Sequence, residues 1–469
     1  MKRHQYKPLS EAEIQRIDQA TMKVLSSTGF EVHEDEAFEL FSRVAESVDT
    51  EKRIVRLSEK RIREIISSAP GELTLFSRDG KNDCRLGSGE VYFGTGGTAL
   101  NMLDYPEGLC RPAVLKDLEN IARVVDKMDN VHLFLLPTYP NETPIDKVDI
   151  SRFYTGLKFT AKHVMGGVYT GEGINSVIRM AEELAGGKDQ LRKRPFLSMI
   201  TCGISPLRLD SKYGRFMMQI AKEGIPLAVP AEPLCGATSP MSLAGTLVIQ
   251  NCDALINVML TQLVNPGTPV IYGCVSTSTD QRNLGYLGGP VESGMINAAT
   301  AQMTQYYGIP YYATAGISDS KTLDAQCGYE SAINNLLVGM AGADFIHDAA
   351  GLMEFAMTVS LEKLVIDNEI LGYAKRAIRG IEVNDETLAL KDIQKIGPGG
   401  NFLTSRHTRK FMRKEHYAPT LSNRDQRSQW EAGGRVSVDE RAHEIVKSIL
   451  EGEAEIYLKD SVFKEKIVV

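Results

Sequence analysis

The sequence predicts a closed (β/α)8 barrel of the TIM type, and three observations predict it. Eight short runs rich in β-branched and aromatic residues recur at intervals of roughly 30 to 42 residues. Between them lie stretches whose apolar positions repeat at three and four, the period of a helix that buries one face. The runs themselves are almost continuously apolar, as parallel strands covered on both faces must be.

The runs, in order, are VYFGT (91–95), HLFLL (132–136), HVMGGV (163–168), FLSMITC (196–202), PLAVPA (226–231), TPVIYGC (268–274), PYYATA (310–315) and DFIHD (344–348). The helix after the first run shows the pattern, with Val114, Leu115, Leu118, Ile121, Ala122, Val125 and Met128 on one side. An open doubly wound sheet uses the same ingredients, but eight units followed by a closing helix over 361–378 favour closure. Residues 1–90 read as a helical preface: Ser10 and Glu13 form a capping box, Ile14, Ile17, Val24 and Leu25 follow at helical spacing, and Gly29 stops the helix. Two further helices are expected over 35–44 and 58–68. The barrel then spans 91–380, and 381–469 forms a tail that wraps it and ends in a helix over 436–450.

Composition narrows the function classes. A chain of 469 residues with 43% apolar and 24% charged content buries a large core, and one elaborated domain suffices. A formal charge of -7 without a long basic block argues against nucleic acid as the partner and for a small molecule. The N-terminus has no secretory pattern, and the most apolar long stretch (245–264) carries Gln250, Asn251, Asp253, Asn257 and Gln262, so a barrel helix is expected rather than a membrane span. Seven scattered cysteines suit a reducing compartment, and a cytoplasmic location follows. Large barrel helices and a wrapping tail suggest a homo-oligomer.

Barrel enzymes carry their chemistry on the segments after each strand. Glu232, after the fifth run, can take a proton or anchor a cation; its bland reading is a loop carboxylate paired with a base. His347 and Asp348 end the eighth run, and since neighbouring strand residues face opposite ways, His347 is chosen as the pocket residue. Asp319, Ser320 and Lys321 follow the seventh run in a stretch that otherwise reads as a solvated loop. Aromatic residues crowd the same ends, and Tyr92, Phe93, Tyr139, Tyr272, Tyr312 and Phe355 are candidate ring faces for a cation, although aromatic residues more often fill a core. Gly96 and Thr170 are candidate substrate contacts. Cys202, Cys235 and Cys274 lie near strand ends without a paired-ligand motif, so no metal site is expected, and runs four to six offer no lysine for Schiff-base chemistry.

The preface IDQATMKVLSSTGFEVHEDEAFELF, the stretches GISDSKTLDAQCGYES and GADFIHDAAGLMEFAMT, and the tail GPGGNFLTSRHTRKFMRKEHYAPTLSNRDQRSQW together resemble the trimethylamine methyltransferase family. Within it they resemble the members without pyrrolysine, such as the glycine betaine:corrinoid methyltransferases. The resemblance implies a (β/α)8 barrel that passes a methyl group from an N-methylated amine to the Co(I) of cobalamin carried by a separate corrinoid protein, with no cofactor held tightly by this chain. The family's pyrrolysine falls near the segment matching Ser318, Asp319, Ser320 and Lys321, where this chain has ordinary residues. That departure points to a quaternary amine, which leaves as a neutral tertiary amine and needs no general acid. Glycine betaine is the expected substrate, with proline betaine, carnitine and butyrobetaine as alternatives. Its carboxylate would be held by His347, the amides of 94–97 or Thr170. Two other classes stay open: a zinc-dependent barrel methylating homocysteine, and a catalytically inert betaine-binding barrel.

Overall fold

In a computed structural model describing residues 6–458, eight parallel strands close into a barrel. They are β1 (Tyr92–Thr95), β2 (Leu133–Leu135), β3 (His163–Gly167), β4 (Leu197–Ile200), β5 (Leu227–Ala231), β6 (Val270–Cys274), β7 (Tyr311–Thr314) and β8 (Phe345–Ala350). Each strand pairs with its successor in the chain, and β8 returns to β1. All eight lie within the runs read from the sequence or overlap them, and the helix Leu361–Arg379 follows β8 as expected.

Strand register separates an inside from an outside. Val229 pairs with Tyr272 and both face the helices, whereas Ala228 and Ile271, one residue earlier, face the lumen. The lower lumen is filled by Leu133, Leu135, Met165, Ala228, Ile271 and Phe345, and a hairpin of Leu73–Leu75 and Cys84–Leu86 packs onto them as a floor. The barrel is thus closed at its amino-terminal end, and only the carboxyl ends of the strands leave room for a ligand.

The first ninety residues are not purely helical. The Ser10 capping box forms as expected, with Glu13 accepting from the Ser10 backbone N–H at 2.8 Å, and the helices Asp35–Val44 and Glu59–Ile66 are present. Interleaved with them, however, Phe30–Val32, Ser47–Asp49 and Ile54–Arg56 make a small sheet joined by Arg208–Leu209 from the loop after β4. Strands of two or three residues carry too little periodicity to be read from sequence. At the other end, Asn101–Asp104, Leu109–Pro112, Leu352–Met353 and Thr358–Val359 form a four-stranded sheet that joins the segments after β1 and β8.

The helix Leu243–Val264 is long and apolar enough to cross a bilayer but is mostly buried inside the protein. Its polar residues serve that packing: Gln250 donates to the Gly273 carbonyl at 2.8 Å, Asn251 accepts from the Tyr272 hydroxyl at 2.6 Å, and Asp253 accepts from the Leu207 N–H at 2.6 Å.

Candidate active site

Alternation along the strands sets which side chains reach the open end of the lumen. Counting by twos from Ala228 through Pro230 puts Glu232 inside; counting from Ser198 through Ile200 puts Cys202 inside, and from Phe345, His347. Glu232 keeps a solvent-accessible face, yet protein surrounds it closely enough for burial, reinforced by the Asp348 carboxylate, to push its carboxyl up to about 7. Both facts fit a side chain that lines a chamber rather than the outer surface. Burial, with Glu232 nearby, also pushes the Cys202 thiol up to about 12, so this sulfur stays protonated at neutral pH.

His347 and Asp348 both reach this end, which alternation alone would forbid. Asp348 adopts φ +57°, a left-handed turn that swings its carboxylate back to the mouth, where Oδ1 accepts from the Gly97 N–H at 3.2 Å. Gly96 is what allows it: a Cβ there would stand 2.4 Å from Asp348 Oδ1 and 2.1 Å from a Leu352 methyl. His347 stacks on Tyr312 with ring centres 3.9 Å apart, and its Nε2 lies 2.6 Å from Thr314 Oγ1. The Thr314 hydroxyl donates its one proton to the Cys274 carbonyl at 2.8 Å, so His347 Nε2–H is the donor to Thr314. His347 Nδ1 then stands 3.0 Å from Asp348 Oδ1, close but not aligned as a hydrogen bond.

Tyr286, from the long segment after β6, is the residue the sequence reading missed. Burial and the carboxylates of Glu232, Asp348 and Asp319 all raise its phenol, which puts it among them. Its signal was available: one aromatic residue between Gly285 and the pair Gly288 and Gly289, in a connection too long for a plain strand-to-helix turn. Asp348, set aside in favour of His347 by strand alternation, joins it at the site because a positive φ at a non-glycine residue breaks the strand rule without any mark in the sequence.

The remaining candidates divide. Asp319 is a structural acceptor, taking the N–H groups of Gly288 and Gly289 at 2.7 and 3.2 Å, and burial raises its carboxyl. Ser320 donates to Asp324 at 3.0 Å and shapes the same turn. Lys321 is at the rim, its ammonium 4.2 Å from the centre of the Phe355 ring and donating to the Asp319 carbonyl at 2.6 Å. Tyr139 meets Tyr169 edge to face at 5.1 Å on the opposite wall. Thr170 caps the helix Gly171–Ala185, accepting from Gly173 and donating to Asp149, so its hydroxyl is engaged.

Three expected ring faces are elsewhere. Tyr272 is buried against the helix Leu243–Val264, because its register partner Val229 faces outward. Phe93 pairs with Ile346 and likewise packs outward. Tyr92 does face the lumen, but as the first residue of β1 it sits on the floor beside Phe345. Proximity to a strand decides neither side nor height, and both were needed.

Positive charge is scarce at this end. Arg152 is completely buried, and its guanidinium donates to the carbonyls of Thr138, Gly167 and Leu136 and to the Thr98 hydroxyl at 2.9 to 3.2 Å, which braces the segments after β1, β2 and β3. Nor do the cysteines converge. Cys202 faces the chamber, Cys274 faces outward to Thr300, and Cys235 is buried beside Thr246. Among the described residues no group of three His, Cys, Asp or Glu side chains is placed to hold a metal ion. The chamber therefore combines carboxylates with tyrosine rings, an arrangement suited to a cation.

Known proteins match this chain along its whole length. It is 36% identical over 442 residues to the trimethylamine methyltransferase MttB of Desulfitobacterium hafniense (strain DSM 10664 / DCB-2), covering 94% of this chain and 89% of that protein. It is 34% identical to the glycine betaine methyltransferase of Desulfitobacterium hafniense (strain Y51), covering 95% and 92%, and 35% identical to the trimethylamine methyltransferase MttB of Methanosarcina thermophila, covering 93% and 91%. The crystal structure of a hydroxylamine MtmB complex shares the fold, with a TM-score of 0.50 at 11% identity over 98% of this chain and 93% of that one. The family described as trimethylamine methyltransferase (MTTB) matches residues 1–465, and this chain is a methyltransferase that belongs to it.

Proposed function

We propose that this methyltransferase takes a methyl group from a quaternary amine and delivers it to the Co(I) of a corrinoid carried by a separate protein. The observation that carries the reading is the chamber over the barrel: Glu232, the His347 and Asp348 pair, and the rings of Tyr286 and Tyr312. Co(I) supplies the nucleophile. Its electron pair forms the new bond to carbon as the C–N pair returns to nitrogen, and a neutral tertiary amine leaves.

This chain's residues bind and orient. Glu232 in its ionised form and the tyrosine rings hold the ammonium, and the packed floor below it leaves the strand ends as the side from which the acceptor approaches. Because the substrate's charge vanishes during the reaction, a fully ionised pair of carboxylates would stabilise the ground state most. A Glu232 carboxyl pushed up to about 7 limits that effect.

Glycine betaine is the first substrate to test, since one relative is named a glycine betaine methyltransferase. Proline betaine, carnitine and butyrobetaine belong in the same panel. Of the donors expected for a substrate carboxylate, the Gly97 N–H and Thr170 are engaged within the protein. Lys321 at the rim pairs with no carboxylate among the described residues, and it favours an acid group carried several bonds from the nitrogen, as in carnitine and butyrobetaine. The divergent cysteines weigh against the zinc-dependent homocysteine reading. The inert betaine-binding barrel predicts the same binding without turnover.

Calorimetric titration with each amine and with its neutral isostere, carbon in place of nitrogen, tests the chamber. A quaternary amine is expected to bind at least ten-fold more tightly than its isostere. Equal binding across the panel would remove the cation site and with it this function.

A further inference from the structure

We propose that the cavity between the helix Leu361–Arg379 and residues 412–418 of the tail binds a small organic polyanion, an acid of two or more negative charges on an apolar or aromatic body. The cavity holds about 880 Å³, within the range of about 300 to 1,000 Å³ usual for small-molecule sites. Val91, Ile378 and Tyr417 give it an apolar wall. Lys375, Arg376, Arg379, Arg413 and Lys414 line the rest, against one carboxylate, Glu90.

Most of these cations lack a partner of opposite charge. Arg376 pairs with Glu415 at 2.6 Å and, together with Arg379, donates to the Glu415 carbonyl, which ties the tail to the helix and fixes the two walls. Lys375, Arg379, Arg413 and Lys414 form no ion pair among the described residues. A basic last turn suits the negative end of a helix, and both Leu361–Arg379 and Arg406–Glu415 end that way. That does not explain why both helices bring those turns to one cavity, where like charges repel.

The His132 ring beside Lys375 supplies an independent observation. Its Nδ1 accepts from the Phe93 N–H at 3.0 Å, and burial pushes the imidazole down to about 3, so the ring is neutral and carries its one proton on Nε2. Lys375 Nζ stands 3.3 Å from that Nε2. Two donors therefore face each other, and no oxygen among the described residues accepts from Lys375. Burial lowers the proton affinity of Lys375, while Asp129 opposes this from beyond ion-pair distance. An oxyanion beside Lys375 is within hydrogen-bond reach of both donors and gives each an acceptor.

Position separates this site from the methyl-transfer chamber. Val91 precedes β1, His132 precedes β2, and Arg379 ends the helix that returns from β8, so the cavity lies at the floor end and Glu232 at the mouth.

Calorimetric titration of the full chain with metal-free ATP, inorganic triphosphate and adenosine tests the proposal, since these carry charge with a ring, charge alone and a ring alone. ATP is expected to bind about ten-fold more tightly than either of the others, and excess glycine betaine is expected not to displace it. Arg413→Glu with Lys414→Glu is expected to weaken ATP about ten-fold and to leave the melting temperature of the free protein unchanged. Arg406→Glu with Arg409→Glu, on the same helix but outside the cavity, should leave ATP binding within two-fold or so. Lys375→Met removes one of the two facing donors; it should weaken ATP likewise while the free protein stays at least as stable as the native one. ATP that fails to bind, that binds no more tightly than triphosphate or adenosine, or that binds the folded cavity variants as it binds the native chain would overturn the proposal.

Discussion

Asp348 shows how a single backbone torsion assembles a site. At φ +57° it costs on the order of 1 kcal/mol, and it puts a carboxylate beside His347 that raises the Glu232 carboxyl. Folding holds the Glu232 proton more tightly than the unfolded chain does, since its value moves from 4.5 to about 7. This group's contribution to stability therefore falls as pH rises from the unfolded value through 7 and then levels off. Glu232→Gln removes that loss: thermal melts should show the variant gaining on the native protein at pH 8 and matching it at pH 4.5. Its kcat/KM should drop about ten-fold at pH 8, roughly 1.4 kcal/mol, and lose the rise through pH 7 that ionisation of Glu232 produces in the native enzyme. At Tyr286, a Phe replacement should keep KM within two-fold or so, whereas Leu should raise it by about 1 to 2 kcal/mol, the worth of one desolvated ring face on a cation. Period-two counting along the strands suffices to place Glu232 inside and Tyr272 and Phe93 outside, because side-chain alternation is a property of the extended chain itself. No count could have shown the turn at Asp348.

At the scale of elements, the segments after β7 and β8 are held from behind by a buried pair. Lys363 is fully inaccessible; its ammonium lies 2.6 Å from Asp367 Oδ2 and 3.3 Å from the Gly316 carbonyl, and Asp367 accepts the Gly351 N–H at 2.7 Å. The pair thus joins the turn after β7 to the turn after β8. Lys363→Met leaves the Asp367 charge buried and should cost about 3 to 5 kcal/mol by denaturant unfolding, while adding Asp367→Leu should recover most of it. Glu354, Phe355 and Ala356 add three consecutive left-handed residues at the same rim, where they set Phe355 under Lys321. The eight strands were legible because each is a buried run bounded by turn residues. The rim sheet was not, because Asn101–Asp104 and Thr358–Val359 owe their pairing to each other across the fold rather than to their own composition.

The whole molecule divides its ends. The Leu73–Leu75 and Cys84–Leu86 hairpin closes the floor, and the mouth is left to the substrate and its acceptor. The central claim is tested most directly by mixing the pure chain with a reduced, competent corrinoid protein and a quaternary amine labelled as N-trideuteriomethyl, following the Co(I) absorbance and the masses of amine and corrinoid. The expected result is loss of Co(I) with one labelled methyl appearing on the corrinoid for each tertiary amine released. Persistence of Co(I) with every quaternary amine in the panel, while a known methyl donor still alkylates the same corrinoid, would contradict the account.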